Sequence, residues 1–142
     1  MMQKTEKQLA GWRVLLVDND ANSLDILETL MHFYGAVIFS KINGEEGLQS
    51  ARHDKPDFII TDISMPVMDG WEMIKALKDD AETQTIPIIV LSAHAMAGNQ
   101  EMAKNLGAEA YVLKPFHPST FLGELLAVLS RLPQFASRFD KR

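Results

Sequence analysis

Phe58-Ile59-Ile60-Thr61-Asp62-Ile63-Ser64-Met65-Pro66-Val67-Met68-Asp69-Gly70 is a short apolar run that stops at a carboxylate. Phe58 to Thr61, entered after Pro56, has the length and the unbroken apolar character of a strand buried on both faces. The chain leaves it at Asp62. Pro66 and the Asp69–Gly70 pair then mark a loop. Beyond it Met73, Ile74 and Leu77 recur at helical spacing. The stretch is one strand–loop–helix unit with an acid at the strand's carboxyl end.

The same unit repeats on either side. Trp12 to Val17 predicts a first strand, followed by Asp18, Asn19 and Asp20. Leu24, Leu27, Met31 and Tyr34 predict a helix that Gly35 ends. Ala36 to Ser40 is a second strand, and Asn43 to His53 a helix with few apolar anchors. Downstream, Ile86 to Leu91 is a β-branched fourth strand. Ala95 to Leu106 is a helix with Gly107 as its C-cap. Ala110 to Leu113 is a fifth strand. Pro118 to Leu132 is a fifth helix with Leu122, Leu125, Leu126 and Leu129 inward, stopped by Pro133. Five strands alternating with five helices imply βαβ units and a parallel sheet covered on both faces. The class is therefore α/β, doubly wound. Periodicity alone leaves the strand order open.

Composition narrows the function. The chain has 142 residues and a net charge of -5, with no cluster of Lys and Arg, so direct nucleic-acid binding is not expected. Cysteine is absent, which excludes disulfides, thiolate metal sites and cysteine nucleophiles. No apolar run reaches the roughly 20 residues needed to span a bilayer, so no membrane insertion is expected. A cytoplasmic location is the default expectation. His32, His53, His94 and His117 lie in separate elements and form no ligand set; His94 alone sits near the strand-end residues, two after Ser92.

Ligands of open α/β sheets bind outside the carboxyl ends of the strands. Asp18, Asn19 and Asp20 follow the first strand, Asp62 the third, Ser92 the fourth and Lys114 the fifth. Clustered carboxylates call for a hard cation, and oxygen ligands suit Mg²⁺. A carboxylate is also a nucleophile toward phosphorus, whose oxygens need donors and positive charge nearby. Each residue alone has a plainer reading: helix cap, loop acid, turn hydroxyl, surface lysine. Their convergence on one sheet edge favours the chemistry.

With Asp62-Ile-Ser-Met65-Pro66-Val-Met68-Asp69-Gly70, Leu91-Ser92-Ala93 and Lys114-Pro115-Phe116 in this order, the chain resembles the response regulator receiver family of two-component signalling, the CheY-like proteins. The intervals of 30 residues from Asp62 to Ser92 and 22 from Ser92 to Lys114 are similar to those of the chemotaxis regulator. The resemblance runs from about Arg13 to Leu132. It implies a flavodoxin-like five-stranded sheet in the order 2-1-3-4-5 and a Mg²⁺-dependent phosphorelay. In it Asp62 is the phospho-acceptor, Ser92 the switch hydroxyl, Lys114 the family lysine and Tyr111 the switch aromatic. Asp18, Asn19, Asp62 and the Ser64 backbone carbonyl are the implied metal ligands. Asn19 departs from the family pattern, which has an acid there, and Asp20 is adjacent.

The implied partners are a sensor histidine kinase or phosphotransfer protein, and an effector met through the helix 4–strand 5–helix 5 face; a homodimer stays open. The expected organisation is an N-terminal extension over 1–11, the receiver over 12–132 and a tail over 133–142, with about ten residues frayed at each end. No effector domain is expected in so short a tail. The implied chemistry is self-phosphorylation and dephosphorylation only. Two alternatives stand beside it. One is a phosphorylation-independent pseudo-receiver, suggested by Asn19. The other is a haloacid-dehalogenase-type phosphatase, suggested by Asp18-Asn19-Asp20; Asn22 departs from that motif.

Overall fold

The computed structural model describes residues 8–93 and 97–139. The strands are β1 (Arg13–Val17), β2 (Val37–Lys41), β3 (Phe58–Thr61), β4 (Ile88–Ser92) and β5 (Ala110–Leu113). Between and after them lie α1 (Ala21–Phe33), α2 (Gly44–Asp54), α3 (Gly70–Lys78), α4 (Ala97–Leu106) and α5 (Pro118–Ser130). All pairings are parallel and the order is β2-β1-β3-β4-β5. The doubly wound sheet expected from the alternation is thus the observed one, and the order is the one the family resemblance implies.

Alternate residues of the central strands feed two cores, because successive side chains of a strand point to opposite faces. Val14, Leu16, Phe58, Ile60, Ile89 and Leu91 pack under α1 and α5. Leu15, Val17, Ile59, Ile88 and Val90 pack under α2, α3 and α4. Strands buried on both faces are what the uninterrupted apolar runs predict. Their carboxyl ends are held level by backbone bonds: the Asp18 N–H donates to the Lys41 carbonyl at 3.1 Å, and the Asp62 N–H to the Val17 carbonyl at 2.9 Å.

Several boundaries differ from the sequence reading for local reasons. β4 begins at Ile88, because Pro87 has no N–H for a ladder, and it runs on to include Ser92. Asp69 and Gly70, read as loop, form the start of α3: Asp69 and Glu72 make a reciprocal capping box at 2.9 and 3.2 Å. α5 ends at Ser130, two residues early, since Leu132 precedes Pro133 and is extended. The predicted start of the fourth helix, Ala95, lies outside the described residues.

The largest correction concerns the chain ends, which are packed over residues 8–11 and 133–139. Leu9 is fully buried, and its N–H donates to the Tyr34 carbonyl at 2.9 Å. After α5 come a 3₁₀ turn (Pro133–Phe135) and a sixth short helix, α6 (Ala136–Phe139). Phe135 and Phe139 lie 4.9 and 5.9 Å from Trp12, ring centre to ring centre. Arg138 lies over the Trp12 ring at 4.3 Å and pairs with Asp57 at 3.0 Å. The two ends thereby latch together at the amino edge of the sheet, opposite the strand ends that carry the polar residues.

Candidate functional site

Parallel pairing in this order sets the ends of β1, β3, β4 and β5 side by side. Asp18, directly after β1, is 1% exposed. Its Oδ1 accepts the Asp20 N–H at 2.9 Å and its Oδ2 accepts the Lys114 ammonium at 2.8 Å. Asp62, directly after β3, turns Oδ1 to the N–H of Ile63 at 2.7 Å and Oδ2 toward Lys114 at 3.6 Å. Lys114 is brought to this edge by its own N–H, which donates to the Ser92 carbonyl at 2.7 Å. The Lys114–Pro115 peptide beside it is cis.

Two carboxylates thus share one ammonium. Burial raises the pKa of Asp62 above the ordinary carboxylate range; the Ile63 N–H and the Lys114 charge oppose this, and the charge of Asp18 adds to it. Desolvation is the larger effect, so the carboxylate is held under-neutralised at the sheet edge. The donor chemistry brought together here is oxygen, from the carboxylates of Asp18 and Asp62. Mg²⁺ is met by one or two carboxylates plus water and phosphate oxygens, and this set fits it. Among the described residues no three His, Cys, Asp or Glu side chains converge to hold a metal.

The remaining candidates divide. Ser92 closes β4 and is fully buried. Tyr111 is paired in register with Val90, and Ser92 with Leu113. Since Val90 packs in the α2–α3–α4 core, Ser92 and Tyr111 lie on that same face of the sheet, one pair apart. Asn19 and Ser64 are exposed at the rim. Asp20 is not in the carboxylate cluster: it is the N-cap of α1, its Oδ2 accepting the Ser23 hydroxyl at 2.8 Å, and that bond holds its pKa low. His32, His53 and His117 are exposed on separate elements, and His94 lies outside the described residues.

Two contacts at the site go beyond what the sequence reading assigned to their residues. Gly70 packs against the backbone of the acceptor loop: a Cβ there would collide with the Asp62 carbonyl oxygen. Thr61, which reads as an ordinary strand residue, is fully buried and donates its hydroxyl to that same oxygen at 2.8 Å.

The model of the response regulator receiver domain matches residues 14–126. The chain belongs to the response regulator receiver family. The polar-differentiation response regulator DivK of Brucella anthropi is 34% identical over 116 residues, 82% of this chain and 94% of that protein. The chemotaxis response regulator CheY4 of Vibrio cholerae superposes with a TM-score of 0.79 at 30% identity, covering 84% of this chain and 100% of that one. The receiver domain of sensor histidine kinase PA1611 from Pseudomonas aeruginosa, with a magnesium ion coordinated in its active site cleft, gives 0.75 at 28% identity over 86% and 97% of the two chains. The receiver chain spans about half the length of other curated relatives that it matches. Family membership decides against the haloacid-dehalogenase-type reading. Among the described residues of this receiver no helix is long and apolar enough to cross a membrane.

Proposed function

We propose that this receiver takes a phosphoryl group onto Asp62 and passes the event to a partner through Ser92 and Tyr111. The observation that carries it is the shared ammonium: Lys114 lies 2.8 Å from Asp18 and 3.6 Å from Asp62. Two acids and a cation at one sheet edge support reading Asp62 as the nucleophile.

In the proposed step an Asp62 carboxylate oxygen attacks the phosphorus of a phosphohistidine or a small acyl phosphate. The new P–O bond forms as the donor's P–N or P–O bond breaks, leaving an aspartyl phosphate. Asp18, Asp62, the Asn19 amide oxygen and the Ser64 carbonyl would hold Mg²⁺, which when bound supplies charge neutralisation for the phosphoryl oxygens. Lys114 pairs with the phosphoryl oxygens in place of part of its contact with Asp18. The Ser92 hydroxyl donates to the same group, and Tyr111, one residue pair away on that face, moves with it. The changed surface is the face of α4, β5 and α5.

The phosphoryl source is a sensor histidine kinase or phosphotransfer protein, and the reader an effector protein or a second copy of the chain, in the cytoplasm. Catalysis is confined to the receiver's own phosphorylation and dephosphorylation. The functional unit is residues 12–132, with 1–11 and 133–142 as extensions. The pseudo-receiver reading is not favoured, because Asp62 and Lys114 keep their relation without the missing acid at Asn19.

The test is intact mass after incubation with acetyl phosphate and Mg²⁺. One phosphoryl group is expected on the parent and none on Asp62→Asn, and Asn19→Asp should need less Mg²⁺ for the same rate. Labelling of Asp62→Asn equal to the parent sinks the assignment.

A further inference from the structure

We propose that Thr61 is a positioning residue for the acceptor: its hydroxyl fixes the Asp62–Ile63 peptide, and that peptide aims the Asp62 carboxylate. The inference deepens the reading above and rests on Asp62 being the acceptor.

Thr61 is the last residue of β3 and lies between Val17 and Val90 in register, fully buried. A hydroxyl in such apolar company must find an acceptor. It finds the Asp62 carbonyl oxygen at 2.8 Å. The other end of that same planar peptide is the Ile63 N–H, which donates to Asp62 Oδ1 at 2.7 Å. Carbonyl and N–H of a peptide are rigidly opposed. Holding the oxygen therefore sets the direction of the N–H, and the N–H sets which carboxylate oxygen is occupied. With Oδ1 engaged, Oδ2 is the oxygen left facing Lys114.

A second grip acts on the same unit. The Gly70 N–H donates to the Ile63 carbonyl at 2.7 Å, and the bare Cα of Gly70 packs against the Asp62 carbonyl. The peptide is thus pinned from the strand side by Thr61 and from the helix side by Gly70. The Gly70 contact restrains position, while the Thr61 hydroxyl gives the carbonyl a hydrogen bond from the strand side. Removing that hydroxyl frees the peptide plane to rock and the carboxylate with it.

The experiment compares Thr61→Val, which keeps the β-branched shape without the donor, with Thr61→Ser, which keeps the donor. Two readings are taken: the amide resonance of Ile63 in the unmodified, metal-free protein, and the rate of phosphorylation by acetyl phosphate with Mg²⁺. Thr61→Val should shift the Ile63 resonance and slow phosphorylation roughly five- to tenfold, the worth of one such hydrogen bond. Thr61→Ser should keep both near the parent. Should Thr61→Val fail to fold, Thr61→Ala takes its place against Thr61→Ser. A donor-less variant matching the parent in resonance and rate overturns the proposal, as does Thr61→Ser failing alongside it. The resonance is read before any phosphorylation, so it judges Thr61 even if Asp62→Asn were to show that the acceptor lies elsewhere.

Discussion

Asp62 holds a charge where hydration is scarce, its side chain 12% exposed and facing a second buried acid. Its folded-state pKa is raised, chiefly by burial. The folded state then binds a proton more tightly than the unfolded chain, so stability falls as pH rises from the ordinary Asp pKa, about 3.9, through the raised value. Asp62→Asn removes this penalty. The variant should melt higher than the parent at neutral pH, and the gap should close as pH falls below about 4. Calorimetric Tm against pH checks it; a gap that persists in acid contradicts the electrostatic origin. Asp80 works in the opposite sense. The Glu82 N–H and then Arg52 hold its pKa low, so its contribution is present at neutral pH and is lost in acid. At this scale the positions of Asp18, Asp62, Ser92 and Lys114 at the strand ends were legible in the sequence, because polar residues that close apolar strands stand out. It could not tell Asp18 from Asp20, since the direction of a side chain depends on where α1 begins. Thr61 was invisible because its partner is a backbone atom.

The loop between β3 and α3 holds a strained residue. The Met68 N–H donates to the Pro66 carbonyl at 2.7 Å, closing a γ-turn around Val67 at φ 68°. Turns of this hand are rare, and a β-branched residue is poorly suited to positive φ. Val67 gains little packing in return, being 76% exposed. Val67→Gly relieves the clash but gives the unfolded chain more freedom, and the first effect is the larger. A net stabilisation of about 1 kcal/mol is expected, read as a higher urea midpoint with an unchanged slope. A lower midpoint would show that the loop is not strained. The sequence announced a loop here through Pro66 and Asp69–Gly70 but not its shape. The same Asp69, with Glu72 three residues on, also carried the capping-box signature that places the start of α3. The strand–loop–helix order was legible because each unit bears its own period; the closed turn was not, because Val is the wrong residue to advertise it.

Across the whole molecule, the sheet order brings the acid, hydroxyl and lysine to one edge while the latch of Trp12, Phe135, Phe139 and Arg138 closes the other. Pro133 was read as the end of order, yet the two aromatic rings four residues apart beyond it find a hydrophobic floor. That floor, Trp12 with Phe58 at 5.8 Å, comes from segments distant in sequence, which no local pattern reveals. Phe135→Ala should cost about 3 kcal/mol, within the usual range for a buried Phe, measured by equilibrium urea unfolding. A loss under about 0.5 kcal/mol, the level of ordinary surface substitutions, would show that the tail rests on the sheet without holding it.

Trp12 and Phe135 stand almost the full described chain apart, and that separation has a kinetic meaning. Contacts that close so large a loop are late to form on the way to the native state. Interactions absent from the folding transition state slow escape from the native basin and leave the refolding rate alone. At 1.4 kcal/mol per decade, the whole loss in Phe135→Ala would emerge as an unfolding rate on the order of a hundredfold faster. In stopped-flow chevrons one arm would rise while the other stays in place, and the latch would be seen to govern how long the folded chain lasts rather than how quickly it is made.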